Sequence, residues 1–155
     1  MSIDIRPIRE DELVPWLDAQ TTGFLSRIDI DKVAEEVRQH WDLRRVWGAF
    51  EGERVVGTMR TYATELTVPG DRQIQASAVT QVAVRPTHRR RGILRGMIAA
   101  EHAAAGERGE PASLLYASEG SIYGRFGYGV GCQTAAWTID LPGTGFHDAA
   151  GGRSG

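Results

Sequence analysis

The chain has 155 residues, 41% of them hydrophobic and 25% charged, with a formal net charge of -2; this suits one globular domain and excludes a wholly disordered chain. Its single cysteine, Cys132, excludes an internal disulfide and a cysteine-rich metal site, so no metal is expected. No apolar run approaches the roughly 20 residues that span a bilayer, and the N-terminus lacks the basic-then-apolar order of a signal peptide, so the expected setting is the cytoplasm, away from membranes.

Ile3, Ile5 and Ile8 around Pro7 read as a first edge strand. Arg9 to Gly23 carries Leu13, Trp16 and Leu17 at helical spacing behind three acids, with Pro15 marking its true start or a break. Asp31 to Trp41 reads as a second helix. Residues 46–50 and 54–59, joined by Glu51-Gly52-Glu53, read as a β-hairpin whose second strand continues toward Val68. Ile74 to Val84 is rich in β-branched residues and reads as a central strand. Ile93 to Ala105 reads as a helix, residues 113–117 as a short buried strand, Ser121 to Phe126 as a short helix, and Tyr128 to Leu141 as a last strand. The order β-α-α-β-β-β-α-β-α-β predicts an α/β (α+β) domain over residues 1–141. Six of the fourteen residues from Pro142 to Gly155 are glycine or proline, which predicts a flexible tail. The last strand then lacks a following partner, which suggests a truncated chain and a homo-oligomer or further element covering the edge.

Charge is unevenly spread. Residues 1–53 hold twelve acids against seven Arg/Lys, a local balance of -5, whereas Arg85 to Arg95 holds five arginines, His88 and no acid. The segment Val82-Ala83-Val84-Arg85-Pro86-Thr87-His88-Arg89-Arg90-Arg91-Gly92-Ile93-Leu94-Arg95 places a strand, a polar turn and a glycine at a helix start. Free N–H groups of a first helical turn, the helix dipole and arginine side chains together favour a pyrophosphate. A Walker A loop and a dinucleotide fingerprint are both absent. Nucleic acid is disfavoured, because the net charge is negative and no second basic cluster extends the surface.

The Val-x-Val-x-Pro-x-x-Arg-Arg-x-Gly pattern resembles the pyrophosphate-binding motif of the GCN5-related N-acetyltransferase (GNAT) superfamily. Together with Ala117-Ser118-Glu119-Gly120-Ser121-Ile122-Tyr123-Gly124-Arg125-Phe126-Gly127-Tyr128-Gly129, it resembles the enhanced intracellular survival (Eis) branch of aminoglycoside and lysine acetyltransferases, represented by its N-terminal domain. The resemblance implies a mixed, mostly antiparallel sheet flanked by helices and lacking its last strand. It implies acetyl-CoA as acyl donor, with the pantetheine arm along Val82, Ala83 and Val84. Arg90, Arg91, Gly92, Ile93, Leu94 and Arg95 would cradle the pyrophosphate, and Ser118 and Glu119 would line the far side. Leu94 departs from the wider superfamily, which often has a small residue there. Tyr123 matches the family's proton donor to the departing thiolate, a task suited to a phenol that is protonated at neutral pH.

The implied acceptor is a primary amine of a cationic molecule, aminoglycoside-like or a lysine side chain, attracted by acids such as Asp29, Asp31, Glu35 and Glu36. Trp16, Phe24 and Trp41 are candidates for the acceptor groove or for the core. In the Eis branch a distant C-terminal carboxylate serves as base, and that region is missing here. The alternatives are a non-catalytic acyl-CoA-binding fragment and an arginine-cluster nucleic-acid module. His88 is expected to take a surface or capping role, and Cys132 has no base at a recognisable spacing.

Overall fold

The computed structural model describes residues 2–138. One sheet runs in the order β1 (Asp4–Pro7), β2 (Val46–Glu51), β3 (Arg54–Val68), β4 (Arg72–Val84) and β5 (Ala112–Leu115). The first four strands pair antiparallel, and β4 pairs parallel with β5. This is the mixed, mostly antiparallel sheet with flanking helices that the sequence predicts.

Helix α1 (Leu13–Phe24) buries Leu13, Trp16, Leu17 and Thr21 along one stripe, the spacing that drives an amphipathic helix against a sheet. It starts at Leu13, because a 3-10 turn of Glu10–Glu12 precedes it. Pro15 lies in its first turn, where the missing N–H sacrifices no helical bond. The Glu12 carboxylate accepts the Arg9 N–H at 2.8 Å and both terminal nitrogens of Arg6 at 2.8 and 2.7 Å, which fixes the entry of the chain into the helix. Helix α2 (Ile30–Arg38) is capped by Asp29, whose carboxylate accepts the Lys32 N–H at 3.2 Å, and it ends before the expected Trp41. Helix α3 (Ile93–Glu107) and the short α4 (Gly120–Tyr123) complete the set.

Each face of the sheet carries its own core. Val46 and Phe50 of β2 point with Val55 to the α1–α2 side and pack with Leu13, Trp16 and Leu17. Trp47 and Ala49 point the opposite way with Val56, Met59 and Val79, and pack under Ile93, Met97 and Ile98 of α3. Alternation along one strand thus supplies both layers. The Trp16 indole N–H donates to the Trp47 carbonyl at 2.8 Å, so the largest buried side chain leaves no polar group unpaired. The helices approach closely at glycines. A β-carbon on Gly96 of α3 would lie 2.4 Å from Ile5 Cδ1, and one on Gly23 of α1 would lie 2.5 Å from Ala83 Cβ.

Three expectations change. Residues 128–138 form no strand; Gly127 has a φ of +94°, and Gly129 and Gly131 add no side chains to pack, so this stretch docks through the Tyr128 side chain instead of a backbone ladder. Strand β5 is half-buried, not buried, because its outer edge has no partner strand among the described residues. Its pairing ends at Leu115 and does not reach Ala117. The expected domain end at Leu141 and the tail from Pro142 to Gly155 lie outside the described residues. Among the described residues, no helix is long and apolar enough to cross a membrane.

Candidate active site

The site is built where β4 parts from β5. The β4–β5 ladder covers only Ala76 to Val79, so residues 80–84 pair with β3 alone. Just beyond the last shared rung sits a bulge: Gln81 and Val82 together oppose Met59, between the Thr58–Ala83 and Arg60–Thr80 pairs. Gln81 takes a φ of +53°, and its carbonyl accepts the Thr58 hydroxyl at 3.1 Å. The second edge of Val82, Ala83 and Val84 is therefore free of any strand among the described residues. A free strand edge accepts an extended, amide-bearing ligand.

This edge leads into the polar turn. Arg85 is anchored: its N–H donates to the Val56 carbonyl at 2.9 Å, its Nε to the Val55 carbonyl at 2.8 Å, and its guanidinium pairs with Asp18 at 3.1 Å. Arg90 and Gly92 both take left-handed backbone angles, φ +63° and +79°. The first helical bond of α3 runs from the Gly96 N–H to the Gly92 carbonyl at 2.9 Å, which leaves the amides of Ile93, Leu94 and Arg95 ahead of it. No side chain caps this helix start, and a β-carbon added to Gly92 would meet nothing within 4 Å. The result is an open, positively polarised helix start flanked by the exposed side chains of Arg90 and Arg91. Ile93 is buried and Leu94 packs on the same core, so these two can offer a ligand only their backbone amides.

Sequence reasoning missed the support beneath the turn. His88 is 5% exposed, so of its expected surface or capping role the surface alternative does not hold, and it bridges Thr87 Oγ1 at 2.8 Å and Glu51 Oε2 at 3.1 Å. The other oxygen of Glu51 meets Arg91 at 3.4 Å. The hydrogen bond from His88 holds the Glu51 carboxyl below the usual range. The signal available was position: Glu51 ends β2 at the hairpin, and the structure brings it to the basic loop.

Beyond β5, Tyr123 lies at the end of α4, half-buried, with its ring edge-on to Tyr128 at 5.9 Å. Burial, helped by the Glu119 carboxylate, raises the Tyr123 phenol above its ordinary value and keeps it protonated. Tyr128 does more than pack: its hydroxyl lies 2.7 Å from Ser113 Oγ on β5 and 3.2 Å from His102 Nε2 on α3. Arg95, in the first turn of α3, lies over the Phe126 ring at 5.9 Å, and this brings the segment after α4 beside the polar turn. Ser118 and Glu119 are exposed in the loop between β5 and α4.

The aromatic candidates separate. Trp16 is fully buried and belongs to the core. Trp41 meets the Trp16 ring edge-on at 5.9 Å and carries the Arg60 guanidinium 4.2 Å from its ring, so a cation already occupies it. Phe24 stays half-exposed one residue from Gly23, which presses on Ala83. Cys132 is exposed. Among the described residues, no group of three or more His, Cys, Asp or Glu could hold a metal ion.

Comparison with known proteins agrees with this architecture. Residues 4–131 match the acetyltransferase (GNAT) domain family. An uncharacterized N-acetyltransferase of Streptomyces griseus is 44% identical over 142 residues, covering 91% of this chain and 34% of the relative. The crystal structure of Eis1 from Mycobacterium abscessus superimposes with a TM-score of 0.72 at 33% identity, over 83% of this chain and 32% of that one. An acetyltransferase from Clostridium acetobutylicum, solved with acetyl-CoA, shares the fold with a TM-score of 0.70 at 19% identity, over 91% of this chain and 97% of that one. The chain spans about a third of the length of the curated relatives it matches.

Proposed function

This chain belongs to the GNAT acetyltransferase family, and on that premise we propose that it binds acetyl-CoA and transfers the acetyl group to a primary amine of a cationic acceptor, aminoglycoside-like or a lysine side chain. One observation carries the reading: the unpaired edge of Val82, Ala83 and Val84 runs directly into the open helix start at Gly92. An extended arm ending in a diphosphate fits that sequence of surfaces, with backbone pairing along the strand and charge at the turn. Arg90 and Arg91 supply charge-assisted hydrogen bonds, the amides of Ile93, Leu94 and Arg95 supply oriented donors, and Ser118 and Glu119 border the far side.

In the reaction the neutral amine nitrogen attacks the thioester carbonyl carbon, and the new C–N bond replaces the C–S bond. The amine proton leaves to solvent or a base, and the departing thiolate takes a proton from the Tyr123 hydroxyl. A phenol whose pKa is raised by burial retains that proton at working pH. The acceptor enters beside Phe24, where α1 meets Ala83, and the acids of α2 draw in its positive charge. A cytoplasmic setting belongs to the same reading. The outer edge of β5, unpaired among the described residues, and the exposed Tyr116 favour a further element or a second copy there.

One second reading is a non-catalytic acyl-CoA-binding unit, since the chain matches about a third of the length of its relatives. The nucleic-acid reading loses support, because Arg85 is turned inward and committed to the Val55 carbonyl and Asp18. Titration with acetyl-CoA by calorimetry, followed by thiol release in the presence of a polyamine acceptor, tests the proposal. Saturable binding with amine-dependent thiol release is expected; binding without release leaves the second reading, and no binding overturns both.

A further inference from the structure

Gln81 combines two unfavourable features. Its backbone is left-handed although it carries a full side chain, and its side-chain oxygen Oε1 is buried with no hydrogen-bond partner among the described residues. The other such atom is Thr61 Oγ1, and Thr61 sits opposite Val79, the last residue of β4 shared with β5. An orphaned buried acceptor is costly, and strained backbone persists where surrounding structure over-determines it, most often at ligand sites. Both features fall on the bulge at which β4 loses its second partner among the described residues, four residues before the turn that starts at Arg85.

We infer that the Gln81 side-chain carbonyl is a binding group for the acyl donor's arm, accepting a hydrogen bond from one of its amide N–H groups. The inference rests on the acetyl-CoA reading above and adds to it a side chain where that reading used only backbone. The chemistry follows from the orphan itself. A carbonyl oxygen lacks a donor, and a pantetheine arm laid along residues 80–84 carries two secondary amides with N–H groups. An amine acceptor also carries N–H groups, so the test separates the two sources.

The full chain is titrated by calorimetry with CoA and with 3′-phosphoadenosine 5′-diphosphate, which keeps the diphosphate and lacks the arm; no amine is present. In Gln81→Met, CoA affinity falls by roughly three- to tenfold, the worth of one net hydrogen bond, while the nucleotide's affinity stays within about twofold. The melting temperature of the unliganded variant stays level or rises, because a buried polar atom without a partner has been removed. Gln81→Asn, which suits left-handed backbone but cannot reach as far, weakens CoA in the same selective way. Unchanged CoA affinity in both variants overturns the inference and leaves the amine acceptor as the donor. Parallel weakening of CoA and nucleotide, or a lowered melting temperature with no selective loss of CoA, assigns Gln81 a structural role and overturns it as well. Failure of the unsubstituted chain to bind either ligand overturns the acetyl-CoA reading itself, and this inference with it.

Discussion

Glu101 Oε2 accepts the Trp47 indole N–H at 2.6 Å. The other oxygen accepts the Ser77 hydroxyl at 2.6 Å and pairs with Arg108 at 2.5 Å. Arg108 continues to Glu110 at 3.0 Å, and Glu110 meets Arg45. Helix α3 is thereby tied to β2, β4 and the loop before β5 through one fully buried carboxylate. Glu101→Ala strips the partner from an indole and a hydroxyl and removes one of the two carboxylates that hold the Arg108 guanidinium. We expect a loss of about 3–5 kcal/mol in denaturant unfolding. A loss below about 1 kcal/mol would mean that water takes over these contacts.

Tyr123→Phe removes the hydroxyl and leaves the half-buried ring against Tyr128. If Tyr123 protonates the leaving thiolate, kcat falls about 10²-fold or more while acetyl-CoA affinity holds. The raised phenol fixes the sign of the pH dependence. The acid form is present at and below neutrality and is lost only above an ordinary tyrosine's range. The alkaline fall in kcat should therefore disappear in the Phe variant. Full activity in that variant would end the proton-donor assignment.

Gly92→Ala separates backbone strain from packing. The added methyl meets nothing within 4 Å, so the core is untouched, but a φ of +79° costs a non-glycine residue about 1 kcal/mol. The methyl also stands in the space an anion would use. Melting should fall slightly, and acetyl-CoA affinity should fall by more than the stability change explains. Equal affinity in the alanine variant would place the diphosphate elsewhere.

Glu12 predicts an acid limb of stability. Hydrogen bonds from Arg6, aided by the Arg9 N–H, outweigh burial and bring its pKa to about 2, against an unfolded value of 4.5. A carboxyl lowered on folding stabilises fully above its unfolded pKa and loses that contribution as pH falls through the folded one. The window runs from pH 4.5 down to about 2. Glu12→Gln should flatten unfolding free energy across this window relative to the parent. An unchanged acid slope would show that the Arg6 pairing persists in the unfolded chain.

Periodicity and spacing revealed most of the fold and the outline of the site. The Val-x-Val strand and the Gly92 helix start were legible because each rests on a short local pattern. Glu101 was readable in principle, since its spacing from Ile93, Met97 and Ala105 sets it on the buried stripe of α3. It was missed because a charged residue on an alanine-rich helix suggests solvent. The burial of His88 is hidden for a related reason: its neighbours are arginines, and one of its two partners, Glu51, is distant in the chain. Residues 128–138 form no strand because Gly127, Gly129 and Gly131 recur at alternate positions, a spacing that the extended reading of this stretch does not accommodate. No local pattern marks Gln81, whose bulge depends on the register of β3 against β4.

That bulge also decides which residues of the motif can face which layer. Val79 packs under α3, and so do Val82 and Val84, although an uninterrupted strand would turn them to the opposite side. The extra residue resets the strand's phase, so small Ala83 meets Gly23 on the α1 side while the valines stay beneath the helix that Gly92 opens. Deleting residue 81 would therefore keep Val82 and Val84 in phase with Val79 and Ala83 against α1, whereas inserting one further residue there would swap the two faces and drive valine side chains into α1.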